Sequence, residues 1–282
     1  MSGAAYCPIG KAEKLLLATD GTEYSEGAIR EAISFAAKCS SKLYAMSVIE
    51  LAMEYESVAQ KHVELEESDR IKHLDSIKQK AQDAGVSCET FICEDNEPDK
   101  CIVQEAEKRA VDMIITGKRG AKGLMKLMMG EVVAKVIKNA PCKVLVVPKE
   151  AIISYHNILI ATDGSRHSEA AASDAVGIAK RCGSSLIALS AYKSNSEQDE
   201  AKSNAAMVVD MAKKEGVPAE ALAPHGKSYE TIVEVAGGRG VDLIVVGTYG
   251  KTGLEKLLMG SSTEKVIGLA HCAVLVVKAA KV

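Results

Sequence analysis

A segment near the carboxyl end of the chain has the residue types that a phosphate-binding loop requires. Residues 247–263 are rich in glycine and hydroxyl side chains, and they follow the apolar run 243–246. That run predicts a buried parallel strand, and the apolar spacing of Val266, Ile267 and Ala270 suits one face of a helix. Glycines let a ligand approach the backbone, and a helix start supplies unpaired N–H groups at the positive end of its dipole. The segment therefore suits an anion site, although a strand–loop–helix turn with glycines for packing fits the spacing equally well.

Four residues of this segment, Gly247, Gly250, Gly260 and Ser261, have the spacing G-x2-G-x9-G-S. This pattern resembles the ATP-binding signature of the universal stress protein family. It differs from a Walker loop, which ends in Gly-Lys-Ser/Thr, and from the G-x-G-x-x-G dinucleotide fingerprint. The resemblance implies that ATP is the ligand, and Mg²⁺ could be recruited by the phosphates together with Asp163.

The resemblance also implies a role for each matching residue of the second half. The adenosine end would lie against residues 161–163, with Ala191 beside the adenine, and the two glycines of the strand end would lie along the ribose and phosphates. Backbone N–H groups and hydroxyls at the helix start would contact the phosphates. Asp163 also suits a simpler role as a turn or cap residue before the first helix. The predicted nucleotide-binding residues are Ala161, Thr162, Asp163, Ala191, Gly247, Thr248, Gly250, Gly260, Ser261, Ser262 and Thr263.

The elements that must position these residues occur twice in the chain. The segment 14–22, with its Asp20, recurs as 157–165, with Asp163, and the apolar stripe of the following helix recurs as well. Short apolar strands alternate strictly with helices, which predicts a parallel sheet with helices on both faces. We therefore expect an α/β chain of two tandem doubly wound, Rossmann-like domains, residues 1–150 and 151–282, with five strands each. Right-handed crossovers and the family resemblance imply the strand order 3-2-1-4-5.

The two predicted domains differ most after their second strands, which we place at 42–49 and 185–192. Residues 50–85 contain a long helix, and the second half shortens this region. The third strands are predicted at 86–93 and 219–224. The apolar stripe predicted for the long helix consists of Ile71, Leu74, Ile77 and Ala81.

The fifth strands, residues 144–147 and 274–277, are apolar, and each would leave an aggregation-prone edge if it stayed uncovered. Pairing the two strands covers both edges, and the resemblance implies that such domains join through this strand. The chain should then be an intramolecular pseudo-dimer. Two such chains could also form a homodimer, and the sequence leaves that alternative undecided.

The first half departs from the family pattern at the helix start. Its glycines survive, but Glu131, Val132 and Val133 replace the three hydroxyl residues. A carboxylate where a phosphate would lie predicts a site that is self-filled and binds nucleotide weakly or not at all. The adjoining loop is basic and contains Lys118, Arg119, Lys122 and Lys126. Two interpretations of this loop stay open: it is solvated and pairs with Glu131, or it holds an anion.

Composition limits the remaining possibilities. A net charge of −3 gives no electrostatic case for nucleic acid or an anionic membrane, and no apolar run reaches the length of a membrane span. We expect a cytoplasmic protein whose cysteines stay reduced, with Cys39, Cys182, Cys142 and Cys272 as small buried apolar residues. Cysteine spacing does not favour a metal site.

Three functions fit these observations. The first is a nucleotide-sensing stress or signalling module that binds one ATP in its second half and acts on an unidentified protein partner. The second is a slow ATPase or phosphoryl-transfer enzyme, although no loop residue is placed as a general base, and His225 and His271 are isolated histidines. The third is a partner-binding adaptor whose ligand is dispensable.

Overall fold

The computed structural model describes residues 7–10, 12–49, 58–118, 129–250 and 259–279. Within these ranges the order of strands and helices is the predicted one. The first half contains β1 (Lys14–Ala18), α1 (Glu26–Cys39), β2 (Lys42–Ile49), α2 (Val58–Asp83), β3 (Cys88–Glu94), α3 (Pro98–Arg109), β4 (Met113–Gly117), α4 (Glu131–Asn139) and β5 (Lys143–Val147). The second half contains β6 (Asn157–Ala161), α5 (Arg166–Cys182), β7 (Ser185–Leu189), α6 (Gln198–Lys214), β8 (Ala219–Leu222), α7 (Ser228–Gly238), β9 (Leu243–Gly247), α8 (Ser261–Leu269) and β10 (Ala273–Val277).

Local sequence sets the ends of the helices that frame each crevice. Ser165 caps α5, because its hydroxyl oxygen accepts a hydrogen bond from the backbone N–H of Ser168 at 3.3 Å. The same helix ends at Gly183, whose φ of 70° is the left-handed conformation that glycine adopts without strain. Pro98 at the start of α3 suits a position where no intrahelical N–H is needed.

The ten strands form one sheet, in the order β3-β2-β1-β4-β5-β10-β9-β6-β7-β8. Each half therefore has the predicted order 3-2-1-4-5, and all pairs within a half are parallel. The halves join through an antiparallel pair of their fifth strands, in which Leu275 lies opposite Leu145. This confirms the predicted fold and the predicted seam between the two halves.

Two apolar layers, one on each face of the sheet, run across both halves. One layer lies beneath α1, α2, α5 and α6, and the other beneath α3, α4, α7 and α8. The fifth strands contribute to both layers because their side chains alternate between faces: Leu145 and Leu275 enter the first, Val144 and Val274 the second. The seam is therefore continuous core.

The predicted stripe of α2 is wrong at one position. Leu74, Ile77 and Ala81 are buried, but Ile71 is 46% exposed. At about 100° of rotation per residue, Ile71 lies about 90° from the centre of the stripe that the other three define. Arg70 lies on that stripe instead, and its guanidinium lies above the turn at Gly21.

Two lysines cross the seam and cap helices of the opposite half. Lys118, at the end of β4, donates a hydrogen bond to the carbonyl of Ala270 at the end of α8, at 3.1 Å. Lys278, after β10, donates to the carbonyls of Lys138 and Ala140 at the end of α4, at 2.7 Å each. Side-chain contacts therefore reinforce the strand pairing.

The expectation of reduced cysteines is wrong for four of them. The structure pairs Cys7 with Cys39 and Cys93 with Cys101 as disulfides, and both lie in the first half. Cys88, Cys142, Cys182 and Cys272 are free and only partly buried rather than fully so. Burial raises the pKa of Cys142 to about 12 and that of Cys272 to about 11, so both thiols stay protonated and unreactive at neutral pH.

Candidate functional site

A cavity of about 530 Å³ opens where the strand order of the second half reverses, beyond the carboxyl ends of β6 and β9. Open parallel sheets bind ligands at such points. All of the predicted nucleotide-binding residues except Thr248 line it. The strands bring Asp163 and Gly247 together because β6 and β9 are neighbours in the sheet.

One end of the cavity is apolar. Part of it is formed by the strand residues Ala161, Leu189 and Val246 and by Ala191, which follows β7, and α7 contributes Ile232. Met259 and Val266 close it from the side of α8. Apolar walls of this kind suit a flat heterocycle such as a nucleobase.

The turn after β6 holds Asp163 by local hydrogen bonds. Its Oδ1 accepts from the N–H of Ser165 at 3.0 Å, and the hydroxyl of Thr162 accepts from the N–H of Gly164 at 3.3 Å. Asp163 therefore has the turn-closing role considered above. It also borders the cavity, where its Oδ2 lies beside Gly250.

Two glycines are required by close approaches rather than by φ. A Cβ on Gly247 would lie 2.8 Å from the carbonyl carbon of His167 in α5, and a Cβ on Gly250 would overlap the carboxylate of Asp163. The first contact lets α5 pack against β9, and the second keeps the mouth of the cavity open. Only the second is specific to a binding site.

The nine-residue helix α8 points its amino terminus into the cavity. Its N-cap is Gly260, no side chain caps it, and Ser261 and Ser262 are exposed at its start. The N–H groups of residues 261–263 belong to the first turn, which has no intrahelical partners for them. With the positive end of the helix dipole, they can bind the oxygens of a phosphate.

Two of the predicted phosphate donors have other partners. The N–H of Gly260 donates to the carbonyl of Thr248 at 3.0 Å, and the buried hydroxyl of Thr263 donates to the carbonyl of Gly247 at 2.9 Å. These bonds fix the loop to the helix start. Gly260 and Thr263 thus shape the anion site, and the exposed hydroxyls of Ser261 and Ser262 are the ones that can reach a ligand.

The prediction for Thr248 is wrong. This residue is fully buried, and both its N–H and its hydroxyl donate to the carbonyl of Val277 at 3.1 Å. Its side chain therefore ties the start of the loop to the end of β10 instead of facing the cavity. The residue stays a part of the site only through the hydrogen bond that its carbonyl accepts.

Sequence reasoning missed several lining residues, among them Lys193, Ser228 and Tyr249. Lys193 follows β7 and Ser228 begins α7, so the topology brings them to the mouth of the cavity without any sequence motif. Tyr249 is 9% exposed, and its ring packs edge-on against His167 at 5.3 Å between centroids. Only Tyr249, which lies between the two glycines of the motif, could have been found from the sequence.

At the corresponding helix start of the first half, residues 129–133, the structure describes a different set of side chains. The carboxylate of Glu131 at the helix start is 81% exposed and pairs with Lys135 at 2.8 Å. This pairing lowers the pKa of Glu131. Val133 is buried and Val132 partly buried, so neither supplies a hydroxyl. The alternative involving Arg119, Lys122 and Lys126 lies outside the described residues.

Polar side chains from α2 lie instead above the end of β1. The Nε2 of His73 is 3.0 Å from the hydroxyl of Thr19, and burial lowers the pKa of this half-buried imidazole. The Oδ1 of Asp20 accepts hydrogen bonds from the N–H and hydroxyl of Thr22 and from the hydroxyl of Ser25. Asp20 therefore closes the turn after β1 as Asp163 does after β6, and His73 adds a contact from α2.

Two further observations limit the chemistry. Among the described residues, no three His, Cys, Asp or Glu side chains cluster as a metal site would require. In the same part of the chain, no helix is both long and apolar enough to cross a membrane.

Comparison with known proteins places the chain in a family. The profile described as the universal stress protein family matches residues 11–148 and again 154–278. Universal stress protein MJ0531 of Methanocaldococcus jannaschii is 33% identical over 141 residues, which cover 49% of this chain and 82% of that protein. Universal stress protein Sll1388 of Synechocystis sp. is 30% identical over 149 residues, covering 48% and 96%.

A solved structure has the same tandem arrangement. The universal stress protein from Archaeoglobus fulgidus aligns with a TM-score of 0.75 and 20% identity, over 95% of this chain and 98% of that one. At this identity the likeness shows the fold alone. The single-domain relatives, in turn, correspond to one half of this chain.

Proposed function

Because this chain belongs to the universal stress protein family, we propose that it is a nucleotide-sensing signalling module that binds one ATP in its second half. In this proposal, the first half contributes to the shared core and holds no nucleotide. A protein partner reads the occupancy of the site. The site requires no catalytic residue for this role.

The observation that carries the proposal is the pairing of an apolar cavity with an uncapped helix start. The apolar end suits adenine, and the N–H groups of Ser261 and Ser262 lie where phosphates of the same ligand would reach. Asp163, which borders the cavity between these ends, suits the ribose hydroxyls, and it could share a Mg²⁺ with the phosphates. The volume also falls within the range of small-molecule sites.

Calorimetry with ATP tests the proposal through a matched pair of variants. We expect a stoichiometry near one for the wild-type chain. Gly260→Glu should weaken ATP binding by more than about 100-fold, because a carboxylate would enter the phosphate position. The variant should still fold, because the φ of −55° at Gly260 suits any residue and the new Cβ would lie 3.3 Å from the carbonyl oxygen of Thr248.

Gly130→Glu is the control, since Gly130 is the N-cap of α4 with a φ of −63°. It should leave both affinity and stoichiometry unchanged. A stoichiometry near two, or equal effects of the two variants, would contradict the assignment to the second half. If the wild-type chain binds no ATP, an adaptor with a dispensable ligand replaces this proposal, and turnover far above background would favour an enzyme.

A further inference from the structure

The far end of the phosphate-binding helix lies in contact with the other half of the chain. Helix α8 begins at the cavity and ends after nine residues, about 13 Å away. Its last four carbonyls have no intrahelical partners and form the negative end of the helix dipole. Its last turn carries no basic residue of its own.

The first half supplies the missing positive charge. The ammonium of Lys118 donates to the carbonyl of Ala270, the C-cap of α8, at 3.1 Å. Lys118 is only partly exposed, so water screens this contact incompletely. It directly follows Gly117 at the end of β4, and the strand pairing of the two halves fixes its position.

Helix α4 offers a natural comparison. It has the same length and the corresponding place in the first half, and Lys278 caps its end across the seam. Its last turn already contains Lys138. Its amino terminus starts with Glu131 and the two valines rather than with hydroxyl residues. A cation at the end of α4 therefore has no phosphate-binding helix start to act on.

We propose that Lys118 is a positioning residue through which the first half strengthens phosphate binding in the second. Its charge offsets the negative end of α8, so the helix start presents a more positive potential to the ligand. The inference rests on the proposed nucleotide site and assigns to the first half a part in ligand binding.

The expected effect depends on the charge of the ligand. An added charge about 13 Å from the phosphates acts weakly, so Lys118→Met should reduce ATP affinity about fivefold at low ionic strength and less than about twofold at high salt. Adenosine has no phosphate, and its affinity should not change. A merely structural defect would weaken both ligands alike and would not depend on salt.

The test measures ATP and adenosine binding to the full chain by calorimetry, at low and high salt, for three variants. Lys118→Met should show the selective loss, Lys118→Arg should retain wild-type affinity because it keeps the charge, and Lys278→Met should leave ATP binding unchanged. Lys118→Gln is a second neutral variant in case methionine impairs folding. Each variant is checked for an unchanged melting transition before titration.

Three outcomes would overturn the inference while the wild-type chain still binds ATP. The first is that Lys118→Met binds ATP as tightly as wild type at low salt. The second is that Lys118→Met loses as much affinity for adenosine as for ATP. The third is that Lys278→Met loses as much ATP affinity as Lys118→Met. Failure of the proposed function looks different, because the wild-type chain itself would then bind no ATP.

Discussion

The two halves share a scaffold and differ at the start of the helix that follows their fourth strand, α4 in the first half and α8 in the second. Gly117 and Gly247 end the fourth strand of their halves, and each lies close to the backbone near the first helix of its half. A Cβ on Gly117 would lie within 3 Å of the backbone of Tyr24, just before α1, and a Cβ on Gly247 within 3 Å of the backbone of His167 in α5. These glycines serve packing in both halves and do not mark a ligand site. The helix starts differ instead: Ser261 and Ser262 are exposed, whereas Val133 is buried. The side chains at the helix start are therefore what separates the proposed nucleotide-binding half from the other half.

The halves also differ in how they are held together. Both disulfides lie in the first half, and His73 and Arg70 from its long α2 lie over the end of β1. At the corresponding place in the second half, Asn204 of the shorter α6 approaches Gly164. The described part of the first half thus has disulfides and α2 side-chain contacts that the second half does not share.

The largest effect is expected at the seam, where the two halves become one core. Leu275 is 1% exposed opposite Leu145, and Leu275→Lys would bury a charge there. We expect a loss of about 4 kcal/mol or more in the free energy of unfolding, measured by guanidinium denaturation. Ile152→Lys is the control, because Ile152 is 66% exposed. Unchanged stability of Leu275→Lys would mean that the halves fold independently of this strand pair.

The next effect distinguishes the halves by their cysteines. Cys39→Ser removes the bond to Cys7, which closes a loop with a sequence separation of 32, and should cost about 2–4 kcal/mol under non-reducing conditions. Cys182 lies at the corresponding end of α5 and is a free thiol, so Cys182→Ser should cost less than about 1 kcal/mol. A reductant should remove the difference between wild type and Cys39→Ser. If no difference exists before reduction, this disulfide does not form.

A smaller effect concerns pH. Burial and the charge of Arg70 lower the pKa of His73 in the folded state below its ordinary value near 6.5. The imidazole therefore takes up a proton more readily in the unfolded chain than in the folded one. The contribution of neutral His73 to the free energy of unfolding is complete above pH 6.5 and declines as the pH falls below that value. His73→Asn should make that decline smaller, as measured by the difference in the free energy of unfolding between denaturation curves at pH 7.5 and pH 5. Identical pH dependence in both proteins would exclude a role for His73.

The smallest effect is expected at Glu131. Because its carboxylate points to Lys135 and solvent, Glu131→Ser should leave ATP stoichiometry near one and produce no measurable second site. The valines that follow still lack hydroxyls. Calorimetry at low salt is the most sensitive check, with Lys135→Gln as the control for the lost ion pair. A second binding event in Glu131→Ser would instead support the idea that the charge of Glu131 keeps ATP out of the first half.

The sequence predicted the fold, and ten of the eleven residues that it proposed for the nucleotide line the cavity. Strict alternation predicted the element order, and the apolar fifth strands predicted that the two halves pair through them, because both depend on patterns of burial; the antiparallel direction of that pair is a finding of the structure. The cavity residues followed from the loop motif and from Asp163 at the end of β6. Such features recur at fixed spacing and can be read without coordinates.

The failures have a different physical origin. Thr248 lies between Gly247 and Gly250 of the motif, so its position in the sequence suggests a site residue. Its hydroxyl instead donates to Val277 at the end of the neighbouring strand β10, and no local sequence pattern encodes that contact. The Cys7–Cys39 bond likewise depends on tertiary proximity. The orientation of Glu131 could have been foreseen, because Lys135 lies four residues later on the same helical face.

The antiparallel pairing of β5 with β10 has a consequence for how the protein responds to dilution. Two separate domains joined by such a strand pair would come apart at low concentration. Here residues 148–156 tether the partners, so each strand meets the other at an effective concentration on the order of millimolar, whatever the abundance of the protein. Every chain therefore keeps one complete seam, with Lys118 held against α8, and the two halves stay paired one to one whatever the concentration of the protein.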